Sequence, residues 1–314
     1  MSQSLDVGER GSSQLRPTAS VHLSRRRIVL VRLRRAAATA CVLCLVTVLA
    51  GGSDGRVVVP LWLDPLSLTA PTDARALRTT DDAVRGIAAI MAKSFGLAVP
   101  DRVTVHVYGG RRAFEQGLMR DARVSPLLAA KLSDFAIGVG SRGQVLLNDQ
   151  PPDRTQREWL RLIAHELTHL SQIELAGGEG RGEQWLAEGM AEWVAFSTLE
   201  RLGLDTLGRR RQAVSAALRG HASLLQRGLE LEAHGTPQGF TAWHLREGTV
   251  PVYQVAFLIA DSLIERRGFE GMRIYFASFR KSADRRRNFE AAFGTSLTDF
   301  EADALIRLKT AAAL

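Results

Sequence analysis

Two histidines four residues apart, His165 and His169, with Glu166 directly after the first, are the residues of this 314-residue chain whose types and spacing suit chemistry. They fall in the stretch IAHELTHLSQ, Ile163 to Gln172. On a helix the i, i+4 spacing stacks both imidazoles on one face, about one turn apart. Both can then reach a single zinc ion at about 2.0–2.1 Å. Glu166 would project beside them, near enough to touch a metal-bound water without ligating the metal. The H-E-x-x-H pattern also arises by chance, so the rest of the chain has to supply a third ligand.

A catalytic zinc takes three protein ligands and keeps one position open. The only cysteines, Cys41 and Cys44, sit in an apolar N-terminal run, so ligands must come from His, Asp or Glu. Eighteen residues separate His169 from Glu188 in the stretch QWLAEGMAEW, Gln184 to Trp193. That gap is enough to finish one helix, turn at 176–182 and return antiparallel, with Glu188 facing the histidines. Glu192, four residues on, shares its face and could accept a hydrogen bond from a ligating histidine.

HELTH followed after eighteen residues by the glutamate of WLAEG resembles the gluzincin metallopeptidases. The short WL-x-EG-x-AEW form, the hairpin before the first helix and FGTSLTDFEADA (Phe293–Ala304) are most similar to the peptidase MA-like group, over about residues 100–308. The resemblance implies one Zn2+ per chain held by His165, His169 and Glu188, Glu166 as general base, and Glu192 supporting a ligand. It implies a peptide or protein substrate and a zincin-like architecture with the active-site helix between two lobes. The metzincin pattern needs a glycine and a third histidine where Gln172 and Leu175 stand, and it fails. The G-x-M-E-N stretch of aminopeptidase relatives has no counterpart, which argues against exopeptidase action on the amino end.

Hydrolysis at such a site needs an oxyanion donor besides the metal. The chain has three tyrosines, Tyr108, Tyr253 and Tyr275. Tyr253, just past Pro251, occupies a position that resembles the tyrosine of gluzincin relatives; His234 and His244 are the other candidates. Trp185 and Trp193 read as packing residues, and His221 as a surface residue. Two other functions fit the same residues. One is a non-catalytic zinc-binding scaffold or interaction protein, which would need the metal but not Glu166. The other is a zinc hydrolase of non-peptide amides.

The elements that must hold these residues follow from pattern. Leu160, Ile163, Leu167 and Leu170 recur at helical spacing, and Thr155 with Glu158 reads as a capping box at the start. A second helix is predicted over 183–202, a third over 206–229, a break at His234–Gly239, a helix from Pro251 to Arg267 closed by Gly268, then 270–281 and 284–293. Thr298 and Glu301 are predicted to cap the last helix. Upstream, residues 51–78 read as an irregular lead-in with a strand at Val57–Leu63. A helix over 80–95, a strand over 102–110, short helices over 111–119 and 125–132 and a hairpin over 134–149 follow. The fold expected is α+β, a small mixed N-terminal lobe joined to a mainly helical C-terminal lobe as one unit over 79–314.

The net charge of +8 resides mostly in residues 1–35, which carry +6. The basic runs Arg209–Arg211 and Arg285–Arg287 lack interleaved aromatics, so no nucleic-acid partner is expected. The arginine-rich start and the uncharged run Ala36–Ala50 read as a signal peptide or signal-anchor over 1–50. The implied location is outside the cytoplasm, either exported or membrane-anchored through residues 28–50.

Overall fold

The computed structural model describes residues 55–64, 66–149, 155–178 and 182–313. The expected signal or anchor over 1–50, its membrane-associating stretch 28–50 and both cysteines lie outside them. Among the described residues no helix is long and apolar enough to cross a membrane.

The fold is α+β, a four-stranded sheet followed by a mainly helical C-terminal part. Strands β1 (Arg56–Trp62), β2 (Arg102–Tyr108), β3 (Gly138–Ser141) and β4 (Gln144–Asn148) lie in the order β1-β2-β4-β3. β1 runs antiparallel to β2, β2 parallel to β4, and β3–β4 is the expected hairpin. β1 comes from the stretch read as a lead-in, so that segment completes one edge of the sheet. Alternation sends Val103, Val105, Val145 and Leu147 into the main core and Tyr108 and Leu146 to the opposite face. There they meet Phe114 and Leu118 of α2 (Arg111–Arg120) and Ala129 of α3 (Pro126–Phe135).

The main core joins the sheet to the helices. Helix α1 (Thr80–Phe95) starts in a capping box between Thr79 and Asp82 and buries Val84, Ile87, Ile90 and Met91. Helix α4 (Gln156–Leu175) starts at Thr155, whose hydroxyl accepts from the Glu158 amide at 3.3 Å. Its Leu160, Ile163, Leu167 and Leu170 are all buried. Each such burial contributes roughly 1.5–3 kcal/mol, and together they fix the rotation of the helix about its axis. Helix α5 (Gln184–Arg201) returns alongside it. Contacts between the two run in opposite order, Gln172 to Ala187 at one end and Arg161 to Glu192 at the other, so the pair is antiparallel.

The helical part departs from expectation in three places. The helix predicted over 206–229 divides into α6 (Leu207–Leu218), one 3-10 turn and α7 (Ala222–Arg227); Gly220, a weak helix former, lies in that turn. Where a break was expected at His234–Gly239, a helix begins. Thr236 caps α8 (Pro237–Glu247) by accepting from the Gly239 amide at 2.9 Å, and Pro237 takes its first turn, where no amide is needed. The last helix, α11 (Leu297–Ala313), is capped by Ser296 and Asp299 rather than by Thr298 and Glu301. Glu301 instead accepts from the Leu231 amide at 3.1 Å. Between these, α9 (Thr249–Ser278) is interrupted at Gly268, where φ is +69°, as the glycine led one to expect, and α10 (Arg285–Phe293) follows.

Candidate metal centre

Helix α4 delivers His165, Glu166 and His169, and α5 delivers Glu188 and Glu192; all but His169 are buried. The Nε2 atoms of His165 and His169 lie 3.1 Å apart. Glu188 Oε2 stands 3.2 Å from the first and 3.5 Å from the second. Three ligand atoms of the right types therefore converge on one point.

The outer atoms of the same side chains are held. His169 Nδ1 meets Gln172 Oε1 at 2.9 Å, and Gln172 is oriented in turn by donating to the Ala187 carbonyl at 2.8 Å. His165 Nδ1 lies 3.0 Å from Glu192 Oε1, in a bent contact, and Arg161 donates to that same oxygen at 2.7 Å. Gln184 donates to Glu188 Oε1 at 2.8 Å, which leaves Oε2 buried without a hydrogen bond. With the ring protons on Nδ1, towards Gln172 and Glu192, the two Nε2 lone pairs face Glu188 Oε2, the arrangement a metal ion needs; a proton on Nε2 serves the same carboxylate in its place. Two imidazole nitrogens this close to a buried carboxylate oxygen call for a cation between them, a proton or a metal ion. Two imidazoles and one carboxylate without thiolate suit a borderline divalent ion such as zinc. The residues present fit the metal the sequence implies.

Electrostatics point the same way. Burial works against protonation of His165, but Glu188 and Glu192 outweigh it and push the pKa up to about 10. His169 is raised too, burial again opposing and Glu188 prevailing. Burial opposes ionisation of Glu188, yet the two histidines hold its carboxyl well below the usual range. Glu192, likewise buried, is brought down to about 2 by Arg161 and His165. The pocket draws positive charge, and a proton and a metal ion compete for it. Glu166 behaves differently. Burial raises its pKa, against the pull of His165 and His169. The Gly140 amide also hydrogen-bonds it.

Two glycines let β3 approach this closely. A Cβ on Gly138 would stand 2.4 Å from Glu166 Oε1, and one on Gly140 would stand 2.6 Å from the Glu166 carbonyl oxygen and 2.9 Å from His169 Cβ. Gly189 does the same for α9 against α5, since its Cβ would lie 2.2 Å from the Ala256 carbonyl. That contact brings Tyr253 beside the triad. Its ring centroid is 6.2 Å from that of His165 and 5.5 Å from that of Phe240, and its hydroxyl feels the Glu188 carboxylate. Burial and the surrounding carboxylates of Glu188, Glu166 and Glu192 raise the Tyr253 pKa, so it remains a protonated donor.

The other donor candidates separate. His234 bonds the Leu229 carbonyl through Nδ1 at 2.7 Å and stacks on Trp243, with no place in the cavity. His244 lines the cavity, is 4% exposed, and has no partner at either ring nitrogen among the described residues. Burial lowers its pKa against the pull of Glu188, so it is neutral at pH 7. Trp185 stacks against Phe300, and Trp193 donates to Asp261 at 3.0 Å, so both are structural; His221 is half-buried in the 3-10 turn after α6.

The cavity over the triad has a volume of about 1050 Å³. One wall is β3 with α3, the other α8 with the start of α9, and α4 runs along its floor. Sequence reasoning missed three residues here: Arg161, Gln172 and Gln184. Each lies three or four residues along a helix from a ligand, and that spacing was the one available signal. Comparison with protein-family models and with curated proteins finds no match for this chain.

Proposed function

We propose that the protein is a zinc-dependent peptidase, with His165, His169 and Glu188 holding the metal. The observation that carries this reading is the convergence of the His165 and His169 Nε2 atoms on Glu188 Oε2, with the buried carboxyl of Glu166 alongside. Zinc bound there would supply Lewis-acid polarisation of a carbonyl and acidify a water. Glu166 takes a proton from the attacking water as its oxygen bonds to the carbonyl carbon. It then passes that proton to the amine as the C–N bond breaks. Its raised pKa suits both halves of that transfer. The Tyr253 hydroxyl donates to the oxygen on which negative charge gathers.

A peptide substrate is favoured by the sheet edge. β3 is an outer strand, and its Gly138, Val139 and Gly140 line the cavity beside Glu166. An extended chain laid along that edge would gain main-chain hydrogen bonds next to the metal ligands.

The test is metal content together with cleavage of a mixed peptide library read by mass spectrometry. The wild-type protein should hold one zinc per chain and cut the library. Glu166→Gln should keep the zinc and lose the cutting. A wild type that binds no zinc sinks the reading, and one that binds zinc but cuts nothing points to a non-catalytic scaffold.

A further inference from the structure

One end of the cavity is built from arginine. Arg157 and Arg161 occupy successive turns of α4 before His165, and Arg210 comes from α6; all three line the cavity. Arg161 and Arg210 flank the same ring, with their guanidinium carbons 5.8 and 4.1 Å from the Phe196 centroid. Arg161 is one carboxylate oxygen away from the metal ligand His165, because Glu192 Oε1 touches both.

The acids at this end are already committed. Glu158 pairs with Arg157 and with Arg161, Asp205 pairs with Arg157, and Glu192 is shared by Arg161 and His165. Among the described residues Arg210 alone of the three has no ion pair, and its Nε is buried without an acceptor. Burial, and then Arg161 and Arg157, hold its pKa below the usual guanidinium range against the pull of Glu192 and Asp205. A half-buried guanidinium held against Phe196 among other guanidiniums, with no ion pair of its own, is placed to take an anion.

We propose that Arg210, supported by Arg161, is a carboxylate-binding subsite of the cavity, at the end where Arg161 stands about one helical turn before His165 on α4. In a peptide laid through the cavity, the carboxylate this subsite takes lies on the Arg161 side of the bond over the metal. That carboxylate is either the free C-terminus or an Asp or Glu side chain. Assigning it to a peptide rests on the peptidase reading above; the subsite itself does not.

The test separates the two. Binding of N-acetylphenylalanine and of its amide to metal-free protein is measured by calorimetry, where no metal can ligate the acid. Wild type should bind the acid about ten-fold or more tighter than the amide, as expected of a charge-assisted pair. Arg210→Gln should abolish that preference and Arg210→Lys should keep part of it, since lysine retains the charge without the fork. If the Gln variant does not fold, the Lys variant and the wild type still decide. The subsite is overturned if wild type shows no saturable binding of the acid, if it binds acid and amide alike, or if a folded Arg210→Gln keeps the preference. Zinc-loaded protein is then offered peptides with free C-termini, and amidated peptides with or without an internal Asp or Glu. Preference for the first series identifies the terminal carboxylate, and preference for internally acidic amides identifies a side chain. Cleavage of neither, with the acid preference intact, would remove the peptidase reading and leave the subsite standing.

Discussion

Glu192 Oε1 lies 3.0 Å from His165 Nδ1 and accepts from Arg161 at 2.7 Å, so one carboxylate oxygen ties an imidazole of the His165–His169–Glu188 cluster to a cation one helical turn away. The ring of His165 thus turns Nδ1 to the Glu192 carboxylate and Nε2 to Glu188. Glu192→Gln keeps the shape and removes the charge. Outer partners of this kind are worth about 10–100-fold in metal affinity. Competition against a chromophoric chelator should show zinc affinity falling by that range in Glu192→Gln and unchanged in Glu166→Gln. Equal losses in the two variants would contradict the roles assigned to both.

Metal uptake should release protons. In the metal-free pocket His165 titrates at about 10 and His169 is also raised, so both compete for protons at neutral pH. Zinc displaces those protons, and its affinity must therefore fall as the pH is lowered. Calorimetry in two buffers of different ionisation enthalpy gives the number released. A heat independent of buffer would show that the histidines are already bare.

Stability follows with opposite signs in the two forms. The folded-state pKa of His165 is raised above the unfolded value of about 6.5. Its contribution to the metal-free protein is complete below about pH 6.5 and is lost as the pH rises towards 10. Glu192 is depressed to about 2, so its contribution is present above about pH 4.3 and is lost as the pH falls towards 2. Metal-free protein should thus melt highest between about pH 4.3 and 6.5. Zinc-loaded protein should gain over it steadily as the pH rises through 7, and melting curves of both forms at five or six pH values check this.

The clustering of His165, His169 and Glu188 was legible because helical spacing is a strong constraint. Once 156–175 and 184–201 are helices, His165, His169 and Glu188 have few places to be, and buried Leu160, Ile163 and Leu167 set which face they occupy. What was not legible depends on partners distant in sequence. Nothing local to Val57 says that β1 pairs with β2. Nothing local to Arg210 says that it shares Phe196 with Arg161. Helix α8 was hidden for another reason. Gly235, Pro237 and Gly239 read as a break, yet Thr236 and Pro237 are also how a helix starts, and the structure uses the second meaning.

The glycines of β3 predict a separation of stability from activity. A methyl at Gly140 meets the backbone of α4, which cannot move away, so Gly140→Ala should lose about 1–3 kcal/mol and melt lower. A methyl at Gly138 meets the end of the Glu166 side chain, which can turn aside. Gly138→Ala should melt near the wild-type temperature, hold its zinc and lose most of its peptide cleavage. Full activity in Gly138→Ala would mean that the Glu166 position in this structure is not the one that transfers the proton.

Tyr253 and His244 can be told apart by what each does to turnover. The Tyr253 ring lies beside His165, and its hydroxyl is held protonated by burial and three carboxylates. If it donates to the developing oxyanion, Tyr253→Phe should lower kcat by about 10²–10³ with little change in KM. The ring contact with Phe240 is kept in that variant, so packing should survive. His244 is neutral and unpartnered in the same cavity, with Phe135 against it at a centroid distance of 4.4 Å. It sits where a bound chain would pass between α3 and α8, so His244→Ala should act chiefly on KM. A kcat loss confined to His244→Ala, with Tyr253→Phe near wild type, would exchange the two assignments and make His244 the oxyanion donor.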